Sequence, residues 1–366
     1  MVVSHPQRGH KEPLAAPDPL AQVHSERLCQ RIAAAIAEAG GVLPFADYMH
    51  LALYAPGLGY YQAGQARLGP QGDFITAPEM GYLLGAVLAR YLGPDPGADG
   101  ILEFGAGSGA LAAQIIGFRP ELPYAVIETS PSLGESQRQR VPQLRQLARL
   151  PAAWQGVMLA NEVLDALPVQ VVEWTGTELQ ELGVRFAHGR FHWAPLPRPL
   201  DQRLQERLQP YACQWPHPYR TEVNLQAEAW LRTVAAALTR GQIILIDYGY
   251  PTRATYYHPQ RSMGSLRAYY RHHCLDDPFF WPGLCDLTAH VDFESLLEES
   301  QRCGLLVRWF GTLARFLMEH GLLEIFAERA ATADPRERLA LANEVKRLTL
   351  PQEMGESFQV LVLERP

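Results

Sequence analysis

The sequence predicts an α/β fold built on an open, doubly wound, Rossmann-like sheet of seven strands. Three observations predict it. From residue 101 onward, short apolar runs alternate with helical stretches, the pattern of a parallel sheet covered by helices. The first run passes through a glycine-rich turn, Ile101-Leu-Glu-Phe-Gly-Ala-Gly-Ser-Gly109, into an Ala/Leu-rich helix at 110–116. The next run, Tyr124-Ala-Val-Ile-Glu128, ends on an acid, where an open α/β sheet meets its ligand.

Residues 1–24 are rich in Pro and His, lack an apolar signal core and read as a disordered tail. Residues 25–98 read as an N-terminal helical cover. Ser25 is placed as the N-cap of a helix over 26–39, which Gly40-Gly41 stops. A second helix is expected over 44–53 and a third over 81–91, with turn-rich stretches at 54–61 and 72–79 between them. A Gly/Pro/Asp linker at 93–100 leads to the core, 99–366. The core strands are placed at 101–104, 124–128, 156–160, 242–247, 305–310 and 358–363, with a weaker one near 146–150. The last two, joined by a long helical stretch, can pair antiparallel at the sheet edge.

Two insertions, at about 169–224 and 251–286, interrupt the alternation. The first begins as β-hairpin material over 169–193, with alternating Val171-Val172-Glu173-Trp174 and a turn at Gly176. The second is loop-like and aromatic. Both leave the carboxyl ends of core strands, the side where ligands bind, and are expected to form a substrate cover with the N-terminal helices.

Bulk composition excludes several classes. Apolar residues make up 47% and charged residues 19% of the 366, as in an ordinary globular protein. A formal charge of −7 without a Lys/Arg-rich run argues against nucleic acid, which needs a basic face. No apolar run is long enough to span a bilayer. Five irregularly spaced cysteines argue against a disulfide framework and for a reducing compartment. The His272-His273-Cys274 cluster with Cys285 and His290 matches no standard zinc spacing, so no metal is expected. A cytoplasmic location follows, and a homodimer is compatible with it.

The turn decides the cofactor class. A dinucleotide fingerprint is G-x-G-x-x-G, whereas here Gly105, Gly107 and Gly109 alternate and Glu103 precedes them. This spacing resembles motif I of the class I S-adenosylmethionine-dependent methyltransferases. A pyrophosphate would be ill served by an acid leading into its loop. S-adenosyl-L-methionine has no phosphate; its ammonium suits Glu103, and its carboxylate suits the N–H groups of a helix start. Glu128, nineteen residues after Gly109, stands where an acid binds ribose hydroxyls.

Five motifs, in order, resemble one family: Asp73-Phe-Ile-Thr-Ala-Pro-Glu79, Glu103-Phe-Gly-Ala-Gly-Ser-Gly109, Glu128-Thr-Ser-Pro131, Asn161-Glu-Val-Leu-Asp-Ala-Leu-Pro168 and Asp286-Leu-Thr-Ala-His-Val-Asp292. They are similar to those of the MidA family of S-adenosylmethionine-dependent methyltransferases, over roughly 27–365. Mitochondrial members are complex I assembly factors and protein arginine methyltransferases; lacking a targeting segment, this chain looks like a bacterial member. The resemblance implies a seven-stranded methyltransferase sheet and a cofactor held by Glu103, Gly105, Ala106, Gly107, Gly109 and Glu128, with Thr76 and Asn161. It folds the loop of Asp73, Thr76 and Glu79 over that site. The same letters also fit a local helix start, with Thr76 or Asp73 as N-cap.

Three residues are candidates for chemistry. Glu162 and Asp165 are three apart, so one helical turn would put both on one face, where two carboxylates can grip a guanidinium. Alternatively Asp165 caps a following helix and Glu162 is solvated. His290 can accept a proton after transfer, or be a structural histidine, with Asp292 capping the next helix. The leading expectation is a protein methyltransferase acting on an arginine side chain. A small-molecule O- or N-methyltransferase with a sealed apolar pocket is the alternative. A cofactor-binding assembly or chaperone factor with incidental catalysis is the third.

Overall fold

The computed structural model describes residues 16–64, 76–93 and 96–366. Seven core strands carry the fold: β1 (Gly100–Phe104), β2 (Tyr124–Ile127), β3 (Arg145–Leu147), β4 (Trp154–Asn161), β5 (Leu238–Tyr250), β6 (Leu306–Thr312) and β7 (Phe358–Arg365). Their order across the sheet is β6-β7-β5-β4-β1-β2-β3. The five strands from β5 to β3 run parallel, and β7 enters antiparallel between β5 and β6. The two-residue strand Val291–Asp292 adds to the end of β5.

The strands are continuous apolar runs because both faces are buried. Along each strand alternate residues go to opposite faces. Ile101, Val157, Ile244 and Val362 join one core, with the helices Leu83–Leu92, Ala110–Phe118 and Leu313–Glu319. Leu102, Met158, Ile243 and Leu363 join the other, with helices Leu225–Ala237 and Phe293–Arg302. As expected, Asp292 caps the latter helix, its side chain accepting from the Ser295 N–H.

The cover differs from expectation in detail. The first helix runs Pro19–Glu38, capped by Asp18, whose carboxylate accepts from Ala21 N at 2.9 Å. Asp-Pro is the better start signal, since proline at a first helical position needs no amide partner. Ser25 is therefore a helix-interior residue; its hydroxyl is buried and donates to Pro282 O at 2.9 Å, joining this helix to the second insertion. The second and third helices lie at Phe45–Tyr54 and Leu83–Leu92, the latter preceded by the short helix Ala77–Met80.

The first insertion folds into strands Gln170–Trp174, Leu179–Ala187 and Arg190–Pro195, joined by Leu43–Pro44 and Tyr219–Val223 in one five-stranded sheet. Gly176 turns between the first two at φ +101°. The second insertion is more than loop: Arg267–Tyr270, His273–Leu275 and Asp286–Thr288 form a three-stranded sheet. The strands are short and separated by loops, which hid the period-two pattern.

Glu222 ties the two insertions together. It is buried, and its carboxylate accepts from Ser265 N and Ser265 Oγ, both at 2.9 Å, and from Leu266 N at 3.3 Å. Glu222→Ala leaves these buried donors without a partner and should lower stability by about 2 kcal/mol or more. Glu222→Gln, which keeps an acceptor, should cost less. Denaturant unfolding measures both; an unchanged midpoint for the alanine variant contradicts this role.

Candidate active site

The carboxyl ends of β1, β2, β4 and β5 open into a cavity of about 740 Å³, within the range of small-molecule sites. The glycine turn forms its floor. Gly105 and Gly107 sit at φ +58° and +54°, a left-handed conformation that side-chain-bearing residues enter at a cost. The Gly105 N–H donates to Ile127 O at 2.9 Å, locking the turn onto β2. Buried Gln137 stitches the turn to Glu128, donating to Gly107 O at 2.9 Å and to Glu128 Oε2 at 3.1 Å. The Ser130 N–H holds Glu128 Oε1 at 2.8 Å. Burial pushes the Glu128 carboxyl up, and these donors oppose it.

Glu103, Gly105, Ala106, Gly107 and Glu128 all line the cavity, as do Thr76, Glu79, Asn161, Glu162, Asp165 and His290. Gly109 does not: it is the left-handed N-cap of the helix Ala110–Phe118. Asp73 lies outside the described residues. Thr76 occupies the N-cap position of Ala77–Met80 without a side-chain cap bond. Glu79 accepts from Ser108 Oγ and, at 3.3 Å, from Arg140, so the cover segment is latched to the glycine turn.

Glu103 is almost wholly buried, accepts from Tyr124 OH at 2.8 Å and is pushed up to about 8 by burial. An arriving cation would favour its ionised form.

The loop after β4 overturns the expectation of a helical turn. Residues 162–168 are an irregular turn followed by strand, so Asp165 caps no helix. The reason is Asp247, near the end of β5. Its Oδ2 accepts from the N–H groups of Val163 (3.2 Å), Leu164 (2.9 Å) and Asp165 (3.3 Å), amides that a helix would direct elsewhere. Glu162 sits at φ +53° and is half-buried. Burial first, then the Asp165 charge, pushes its carboxyl up to about 8, opposed by the Asn161 side chain and the Ala77 N–H. Asp165 Oδ2 accepts from Tyr248 OH, while Asp165 Oδ1 and Asn161 Oδ1 are buried without a hydrogen-bond partner. Burial raises the carboxyls of Asp165 and Asp247; at Asp165 the Tyr248 hydroxyl opposes it, and at Asp247 the Asp165 and Glu162 charges add to it.

Four tyrosines close this end: Tyr54, Tyr61, Tyr248 and Tyr269. Tyr54 and Tyr61 stack at 5.6 Å; Tyr54 OH donates to Ala166 O and Tyr61 OH to Asp286 Oδ1. The His290 ring packs edge-on to Tyr248 at 5.3 Å, and its backbone N–H donates to Ser265 Oγ. Asp247 and Tyr248 were missed as site residues. The signal was present, since Asp247 ends an apolar run on the ligand side just as Glu103 and Glu128 do. Among the described residues, no group of three or more His, Cys, Asp or Glu could hold a metal ion.

The donor set tests the cofactor. Arg347 is the single Lys or Arg among the described lining residues, so a pyrophosphate finds little to neutralise it. Paired acids and an unpartnered Asn161 Oδ1 instead suit a ligand with hydroxyl and ammonium donors. Residues 89–311 match the family described as "Putative S-adenosyl-L-methionine-dependent methyltransferase". The chain belongs to this family. A structural relative of this methyltransferase, from Burkholderia thailandensis, holds S-adenosyl-homocysteine. It is 37% identical, with 96% of this chain and 95% of that one covered and a TM-score of 0.88. The Drosophila melanogaster protein named "Protein arginine methyltransferase NDUFAF7 homolog, mitochondrial" is 27% identical, over 88% of this chain and 82% of its own. The Homo sapiens protein of the corresponding name is 26% identical, over 88% and 80%. The methyltransferase uses S-adenosyl-L-methionine as its cofactor.

The raised acids make stability pH-dependent. Glu103 and Glu162 bind protons more tightly in the fold, near 8, than in the unfolded chain, near 4.5. The folded state therefore holds more protons between those values, and stability falls as pH rises through that window. The ligand-free enzyme should show a lower Tm at pH 8.5 than at pH 5.5, and Glu162→Gln should shrink the difference. A wild-type Tm that rises over this interval would contradict the assignment.

Proposed function

We propose that this methyltransferase acts on arginine side chains of proteins, the guanidinium lying in the chamber of Glu162, Asp165 and Asp286. The observation that carries the reading is that chamber: buried carboxylates walled by tyrosines, on the same cavity as the glycine turn. The names of the curated relatives support it. A planar cation suits carboxylates by its fork geometry and tyrosine faces by charge–quadrupole attraction. A small-molecule acceptor would favour a sealed apolar pocket; here acids and tyrosines stand among the apolar lining.

The cofactor supplies an electrophilic methyl group. The chain's contribution is placement: the tyrosines exclude water, and the acids hold the guanidinium's charge on its distal nitrogens. They also take the proton that leaves the methylated nitrogen. In this reading Glu128 holds the ribose hydroxyls and Glu103 the ammonium. A bacterial cytosolic location belongs to the same reading and is supported by five unbridged cysteines.

Enzyme given isotopically labelled cofactor and a lysate should label protein, and hydrolysis should release methylarginine. Label confined to small molecules would overturn the arginine reading. Glu128→Ala should weaken S-adenosyl-homocysteine binding by about tenfold to a hundredfold, from two lost charge-assisted hydrogen bonds. Titration calorimetry reads this; unchanged affinity removes Glu128 from the cofactor site. Asp165→Asn should lower kcat/KM by about a hundredfold while S-adenosyl-homocysteine binding persists. Activity within a few-fold of wild type would take Asp165 out of the chamber's chemistry.

A further inference from the structure

Resting on the arginine reading, we propose that the two acids after β4 divide their work. Asp165 is the carboxylate that touches the acceptor, aimed by Tyr248 and Asp247 as positioning residues, while Glu162 tethers the cover segment.

The partners of each acid make the division. Glu162 Oε1 takes Asn161 Nδ2 at 3.1 Å, and the Ala77 N–H of the cover segment lies against the same carboxylate. Its left-handed backbone turns the residue away from the path of β4, and its own N–H is held by Ile246 O at 2.9 Å. Glu162 thus has one oxygen held by its neighbour Asn161 and lies beside the cover segment. Asp165 has one oxygen bonded to Tyr248 OH and the other buried with no hydrogen-bond partner, while the N–H groups of Ala166 and of Asp165 itself lie beside the carboxylate. A buried acceptor left bare costs free energy, and a guanidinium N–H on Oδ1 would satisfy it.

The loop is built to hold that oxygen still. Asp247 gathers three successive amides; Asn224 Nδ2 donates to Leu164 O at 3.0 Å, Tyr54 OH to Ala166 O at 3.0 Å, and the Ala289 N–H to Asp165 O at 2.9 Å. Contacts from β5, from the helix Leu225–Ala237, from the second cover helix and from the second insertion therefore converge on four residues. Tyr248 then fixes the carboxylate's rotation. Such preorganisation is what an electrostatic binding site requires. The step balances: the acceptor nitrogen bonds the methyl carbon as the carbon's bond to the sulfonium sulfur breaks, S-adenosyl-homocysteine is the leaving group, and the nitrogen's proton goes to Asp165 Oδ1, leaving a methylated guanidinium.

The test is calorimetric binding of an acetylated, amidated Gly-Arg-Gly peptide to the S-adenosyl-homocysteine complex, with kcat and KM beside it. Asp165→Asn should lose tenfold or more in peptide affinity, about 1.4 kcal/mol. Tyr248→Phe should lose a few-fold and lower kcat more than it raises KM. Glu162→Gln should weaken the peptide less than Asp165→Asn does. S-adenosyl-homocysteine affinity serves as the fold control for each. A reversed order of Glu162 and Asp165, or a Tyr248→Phe enzyme identical to wild type, overturns the division. If the wild-type complex binds no peptide, the arginine reading itself fails. Carboxyl NMR then judges the aim separately: Tyr248→Phe should move the Asp165 titration upward, since burial raises it and Tyr248 lowers it, with Glu162, Asp247, Asp286, Tyr54, Tyr61 and Tyr269 the titratable groups around it. An unmoved titration overturns the aim.

Discussion

The site depends on one carboxylate oxygen at the end of the central strand pair. Asp247 Oδ2 collects three consecutive backbone N–H groups from the loop leaving β4. Without that collection the amides of 163–165 would need other buried partners, and the segment would be free to coil into a helix turn. The bend it imposes separates Glu162 from Asp165, so two acids three residues apart in sequence meet different neighbours. A hydrogen-bonding constraint within β5 and β4 thus sets the chemistry of the chamber.

The sheet explains why such a cost is tolerated. Strands β1, β4, β5 and β7 are buried on both faces, and two apolar cores hold them. A rigid platform can carry several acids whose carboxyls are raised by burial, because each is compensated by a neutral donor: Tyr124 for Glu103, Gln137 for Glu128, Tyr248 for Asp165. These are groups poised to ionise when cations arrive, and the nearly arginine-free lining leaves that part to the ligands.

The core was legible because its strands are continuous apolar runs ending in acids, a local signal that needs no long-range information. All seven strands lie within a few residues of where the sequence puts them, and β7 does run antiparallel. The residues of the cavity floor were legible for the same reason: Gly105, Gly107 and Glu128 are placed by backbone conformation and strand position. The cover was not. Ser25 looked like a cap because its partner, Pro282, is 257 positions away. Glu162 and Asp165 looked like one helical face because Asp247, some eighty residues on, which takes the amides of 163–165, is not visible in the local spacing. Pairings between distant segments leave no periodicity to read.

The antiparallel strand β7, Phe358–Arg365, lies between β5 and β6 rather than at the edge. During synthesis β5 therefore leaves the ribosome with one edge open and β6 with no neighbour to join it to the sheet. That open edge is the flank of the strand bearing Asp247. The strand that carries Asp247 thus gains its second neighbour only once the last core strand is released and zipped into its slot.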